Sequence, residues 1–132
     1  MANVKLYDGD GDEQATKTQG KVRDSMGGLL PETYQAMGRS GAFLDAVLKL
    51  DQAAGANLDE PTRQLIAVAV SAANGCGYCL TAHRAIALKA GCTEEQVTAA
   101  VEIAAMMSAY NTFNKAAGLT VDVTPEALGV GA

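Results

Sequence analysis

Gln64-Leu65-Ile66-Ala67-Val68-Ala69-Val70-Ser71-Ala72-Ala73, followed at once by Asn74-Gly75-Cys76-Gly77-Tyr78-Cys79-Leu80-Thr81-Ala82-His83, is the stretch on which the fold turns. Periodicity alone does not separate its apolar first half from a buried strand. Its length, its alanines and the helical patterns on both sides make it a helix, and being apolar nearly all round it is expected to be central. Asp59 suits its N-cap and Pro61 its first turn. Asn74-Gly75 then interrupts the run, so a second helix is expected from Cys76 to Ala90 with Gly91 as its stop.

The same reading extends outward. Downstream, Thr93-Glu94-Glu95-Gln96 is a capping box that opens a helix through Ile103, Met106, Met107 and Tyr110 towards Gly118, and Thr124-Pro125-Glu126 predicts one further turn. Upstream, Ala42 to Ala54 carries Phe43, Ala46, Val47 and Leu50 at the spacing of one buried stripe, closed by Gly55. Pro31 starts a short helix that Gly38 to Gly41 ends. The first 28 residues are polar, with a weakly helical segment from Gln14 to Met26. Asp8-Gly9-Asp10-Gly11-Asp12 imitates part of a calcium loop, but Gln19 stands where the closing glutamate belongs. The expectation is an all-α protein: a polar N-terminal arm over residues 1–28, part helical, and a compact bundle of about six helices over 29–132.

Composition agrees. The chain has 132 residues, 48% of them hydrophobic, only 5% aromatic and none Trp, so its bulk comes from Ala, Val, Leu, Ile and Met, which suit closely packed helices. A formal charge of -5 with no Lys/Arg run argues against nucleic acid and against an anionic membrane surface. The longest apolar run, Leu65 to Val70, is too short to span a bilayer, and the N-terminus has no apolar leader; a soluble cytoplasmic protein is expected. Three cysteines, two of them three positions apart, suit redox chemistry or a metal in a reducing compartment.

Chemistry concentrates in Cys76-x-x-Cys79-x-x-x-His83. At about 100° per residue, His83 lies about 20° from Cys76 and about 40° from Cys79 around the helix axis, so all three share one face. A thiolate is the attacking species in peroxide reduction and disulfide exchange, and an ordinary cysteine is mostly protonated at neutral pH. Backbone N–H groups and the dipole of a helix start favour a thiolate at Cys76, while His83 can exchange a proton with Cys79 one turn away. Spacing leaves open which sulfur attacks, and the histidine inclines the choice to Cys79. One sulfur would become a sulfenic acid or mixed disulfide, the other would close an intramolecular disulfide, and an external thiol would reduce it, with no bound cofactor.

These residues resemble the alkylhydroperoxidase D-like, or carboxymuconolactone decarboxylase-like, superfamily. The matching stretch runs from Leu58 to Ala90, with compatible helices on either side. The resemblance implies an all-α fold, assembly into homo-oligomeric trimers or hexamers, and thiol-dependent peroxidase or disulfide reductase activity. In the peroxidase branch a glutamate twelve residues before the first cysteine completes a proton relay to the histidine; here that position is Gln64. Gln64 cannot take the proton; either it orients His83 by hydrogen bonding, or the nearby Glu60 or Glu102 substitutes for the carboxylate in three dimensions. A histidine found between the cysteines in some members is Tyr78 here, read as a packing residue. Met106, Met107 and Phe113 are candidate interface residues, with ordinary core as their other reading.

Two further readings compete. One is a metal-binding or purely structural oligomer of the same fold: a zinc site could join Cys76, Cys79, His83 and Cys92, although Cys92 lies roughly 20 Å along the axis from Cys76 and reads better as a buried thiol in the following turn. A non-redox enzyme of the decarboxylase type would share the fold and dispense with the cysteine pair.

Overall fold

The structure is a computed structural model that describes residues 1–131. Among the described residues it contains six helices and no strand: α1 (Glu13–Ser25), α2 (Glu32–Ala36), α3 (Gly41–Ala53), α4 (Glu60–Ala73), α5 (Gly77–Lys89) and α6 (Glu94–Ala117). The all-α expectation holds. The helices fall into two compact units, Met1–Asn57 and the remainder from Leu58.

In the first unit α1 packs on α3, so the segment expected as an arm is tied down. The tie is largely polar. Asp12 caps α1 by accepting the Ala15 N–H at 2.7 Å, and its two oxygens accept the Gly41 N–H at 3.1 and 3.0 Å. Asp45 of α3 accepts the Thr18 hydroxyl and the Gln14 amide, each at 2.6 Å. The aspartate-rich segment is likewise occupied by structure: Asp10 pairs with Lys5 at 2.8 Å, Asp8 pairs with Arg23, and Gln19, only 2% exposed, accepts the Gly9 N–H and donates to the Tyr7 and Tyr34 carbonyls. The expected buried stripe on α3 is corrected. Phe43 and Leu50 are exposed, and the buried positions are Gly41 and Leu44, because α1 approaches the helix start closely.

That approach leaves no room for a side chain at Gly41, where an added Cβ would stand 2.5 Å from Ala15 N and 2.5 Å from Gln14 Cβ. Gly41→Ala is therefore expected to lower the free energy of unfolding by about 2 kcal/mol, as overpacking against backbone does. Gly20→Ala is the control. It lies within α1, a Cβ there meets nothing within 4 Å, and it should raise stability by up to about 1 kcal/mol. Denaturant melts of the two variants check the pair; equal and small effects would mean that α1 does not press on Gly41.

In the second unit α4 packs on both α5 and α6. Val68 and Ala87 are fully buried, with Cys92, Val97 and Ala100 around them and Leu65, Ala69, Leu80 and Leu88 packed alongside. The helix ends follow the sequence. Asp59 caps α4 through the Thr62 N–H, Thr93 and Gln96 form the capping box of α6, and Gly118 closes α6 in the left-handed conformation. The central placement of α4 is only half true of the single chain, since Ile66 and Val70 are about half exposed. Along α6 burial ends at Ala104, leaving Met106, Met107, Tyr110 and Phe113 exposed. They are not core of this chain. A groove of about 360 Å³ between α4 and α6 is lined by Leu65, Ile66, Ala69 and Ile103 among others. Among the described residues no helix is long and apolar enough to cross a membrane.

Candidate active site

The cysteine pair stands at a hinge built from two helix ends. At the end of α4 the Cys76 N–H bonds back to the Ser71 carbonyl at 3.0 Å and the Gly75 N–H to the Ala72 carbonyl at 3.2 Å, the paired bonds of a Schellman turn. Such a turn needs a left-handed residue, and Gly75 supplies it at φ 69°. The chain is thereby reversed so that the residue closing α4 also opens α5. Cys76 is the N-cap of α5, its Sγ accepting the Cys79 N–H at 3.3 Å, in the place where Ser or Asp ordinarily sits.

This position acts on the two sulfurs in opposite directions. The Cys76 thiol is pulled below its ordinary value, first by the hydrogen bond from the Cys79 thiol, then by the backbone N–H groups of Cys79 and Tyr78. The Cys79 thiol is raised, first because it donates that bond, then by burial and by the charge on Cys76. Of the two thiols, Cys76 is thus the one that loses its proton more readily, with the Cys79 S–H directed towards it. His83 follows Cys79 by one turn of α5, on the same face.

Gln64 is buried on α4, only 4% exposed, with its Oε1 2.8 Å from His83 Nδ1. Its Nε2 donates to Glu60 Oε1 at 2.6 Å. Gln64 thus meets the histidine, while Glu60 meets Gln64 and not the imidazole. Nor does Glu102 meet it; it is exposed on α6 and no bond joins it to His83. Arg63, which the sequence did not single out, places Nη1 3.8 Å from Glu60 Oε2. The spacing of Glu60 and Gln64, four apart on one helix, was the available signal. Tyr78, expected to pack, is exposed.

Cys92 lies apart from this group. It is buried in the turn after α5, where its N–H bonds to the Ala87 carbonyl, and its thiol donates to the Pro61 carbonyl at 3.7 Å. Among the described residues no group of three or more His, Cys, Asp or Glu side chains is arranged to hold a metal ion.

A helical unit that presents two cysteines and a histidine on one face where a helix begins defines a class, the all-α proteins with a thiol pair at a helix start. Within it the chain belongs to the carboxymuconolactone decarboxylase family, whose model matches residues 41–122. It is 34% identical over 86 residues to the alkyl hydroperoxide reductase AhpD of Azorhizobium caulinodans, covering 65% of this chain and 48% of that protein. It is also 40% identical over 97 residues to uncharacterized protein 4 in the cox locus of Paracoccus denitrificans, covering 66% of this chain and 86% of that one. The crystal structure of an alkylhydroperoxidase AhpD core from Rhodospirillum rubrum superposes with a TM-score of 0.79 over 99% of both chains, at 26% identity. The chain spans about half the length of the curated alkyl hydroperoxide reductases it matches.

Proposed function

We propose that the protein is a thiol-dependent reductase of peroxides or disulfides that works through Cys76 and Cys79 with His83 as proton acceptor and donor. The observation that carries this reading is the N-cap position of Cys76, whose sulfur accepts the Cys79 N–H at 3.3 Å at a helix start and whose thiol is held below its ordinary value there, which supports ready loss of its proton. The names of the relatives support peroxide as a substrate.

The opposed pKa directions suit a division of labour. Once His83 accepts its proton, Cys79 is the stronger nucleophile, because thiolate nucleophilicity rises with pKa. Attack on the terminal oxygen of a hydroperoxide breaks the O–O bond, leaves a sulfenic acid on Cys79, and releases an alcohol that takes the proton from His83. The Cys76 thiolate then attacks the Cys79 sulfur; hydroxide leaves, is protonated to water, and a disulfide remains. An external thiol opens that disulfide at Cys79, expelling Cys76, the better leaving group because its pKa is lower. A second equivalent of thiol completes the reduction. With a disulfide substrate the first step gives a mixed disulfide in place of the sulfenic acid. No bound cofactor enters this scheme. The exposed apolar rows on α4 and α6 support self-association, as a trimer or hexamer, which would cover them.

Treatment of the reduced protein with one equivalent of an alkyl hydroperoxide should remove two hydrogens between Cys76 and Cys79, reversibly with a dithiol, while Cys92 stays alkylatable after unfolding. Peptide mass mapping reads the result. An unchanged pair, or stoichiometric zinc in the purified protein, would overturn the redox reading.

A further inference from the structure

We propose that Glu60 is a positioning residue that sets the tautomer of His83 through Gln64. This deepens the redox reading and rests on it for its catalytic consequence, although the geometry stands by itself. An ionised carboxylate only accepts hydrogen bonds. Glu60 Oε1 lies 2.6 Å from one end of the Gln64 amide, so that end must be the NH2 group, since an oxygen there would face an oxygen. The amide is thereby fixed with its Oε1 towards the imidazole, 2.8 Å from Nδ1. An amide oxygen also only accepts. The proton of neutral His83 is therefore on Nδ1, and Nε2 carries the lone pair that can take a proton from a thiol.

Glu60 is suited to the task by its place at the start of α4, where the helix dipole favours its charge, and by Arg63 at 3.8 Å on its other oxygen. Gln64 is buried enough that its amide has no competing solvent to turn towards. The histidine is thus polarised by a carboxylate two side chains away, relayed through an amide that never titrates. Free imidazole prefers its proton on Nε2, so the arrangement holds His83 in its less favoured form.

His83 is the only histidine, so the 15N imidazole spectrum of uniformly labelled protein reports it without assignment. In the reduced protein, at a pH where the ring is neutral, Nδ1 should give the protonated type of resonance and Nε2 the unprotonated type. Glu60→Gln should shift population to the Nε2–H form and slow peroxide-driven oxidation of the pair about tenfold, in line with losses on removing a group that orients a functional histidine. Adding Gln64→Glu to Glu60→Gln should return both readouts towards wild type, because a carboxylate then accepts the Nδ1 proton directly. A wild-type ring already protonated at Nε2, or a spectrum unmoved by Glu60→Gln, overturns the inference. The spectrum needs no substrate: an Nδ1–H ring that responds to Glu60→Gln beside an inert cysteine pair would uphold the inference while removing the redox function.

Discussion

Cys79→Ser should abolish peroxide consumption, with a loss on the order of a thousandfold or more, as removal of a nucleophile costs. Cys76→Ser should instead leave a single stoichiometric reaction: one sulfenic acid on Cys79 per chain, trapped by a dione reagent, and no second turnover. The asymmetry follows from the assigned roles, because the first variant lacks the attacking sulfur and the second only the sulfur that resolves. The thiol titrations should separate as well. Cys76 is held below its ordinary value by the Cys79 thiol and two backbone N–H groups, so its alkylation should reach half its maximal rate below the usual thiol pKa of about 8.5. Cys79 should reach its half-maximum above that value. In Cys79→Ala the strongest of the bonds to Cys76 is gone, and the Cys76 midpoint should move up. Sulfenic acid that forms on Cys76 in Cys79→Ser, with none on Cys79 in Cys76→Ser, would reverse the two roles.

Much of this arrangement is local, which is why it was legible in the sequence. Caps, a glycine in a left-handed turn and an i, i+4 pair are set by neighbouring residues, and each of Asp59, Gly75, Thr93, Gln96 and Gly118 does what its type and position predict. Burial between helices is less legible. The spacing of Phe43, Ala46, Val47 and Leu50 fits a buried stripe as well as the observed face does, and the bonds that Asp12 accepts from Gly41 and Asp45 from Thr18 hold the observed face of α3 against α1. Apolarity also marks surfaces that a single chain leaves open: Ile66 and Val70, on a helix expected to be central, stand in the open, as do Met106, Met107 and Phe113, for which core was one of two readings.

At the site, sequence placed the three reactive groups on one face but could not say how the histidine was held. Gln64 at the position of an expected glutamate looked like a loss of the carboxylate. In the structure the carboxylate stands one helical turn earlier, at Glu60, and the amide passes its orientation on. The sequence carried both residues. What it lacked was the crossing of α4 over α5 that brings Gln64 against His83, nineteen positions away.

His83→Ala should slow the attack on peroxide by about a hundredfold to ten-thousandfold, the span typical of a lost general base, and should do so unevenly. In the proposed scheme Cys79 is the sulfur whose proton must leave, and the other acceptor beside it is the Cys76 sulfur, the group needed for the second step. Without the imidazole, the dithiol can shift its proton between the sulfurs but cannot expose both as thiolates at neutral pH. Raising the pH removes the difficulty: hydroxide then deprotonates Cys79, so the deficit should shrink steadily with pH above the ordinary thiol range. Cys76 needs no help from His83 to ionise, because the bonds that stabilise it come from Cys79 and the helix start. Its alkylation midpoint should therefore stay within a few tenths of a pH unit of wild type, as expected when no bond to it is lost. Stopped-flow oxidation across pH, with alkylation measured in parallel, separates the two effects. A variant whose oxidation rate is unchanged at neutral pH, or whose Cys76 midpoint rises as far as its rate falls, would show that the imidazole takes no proton from Cys79.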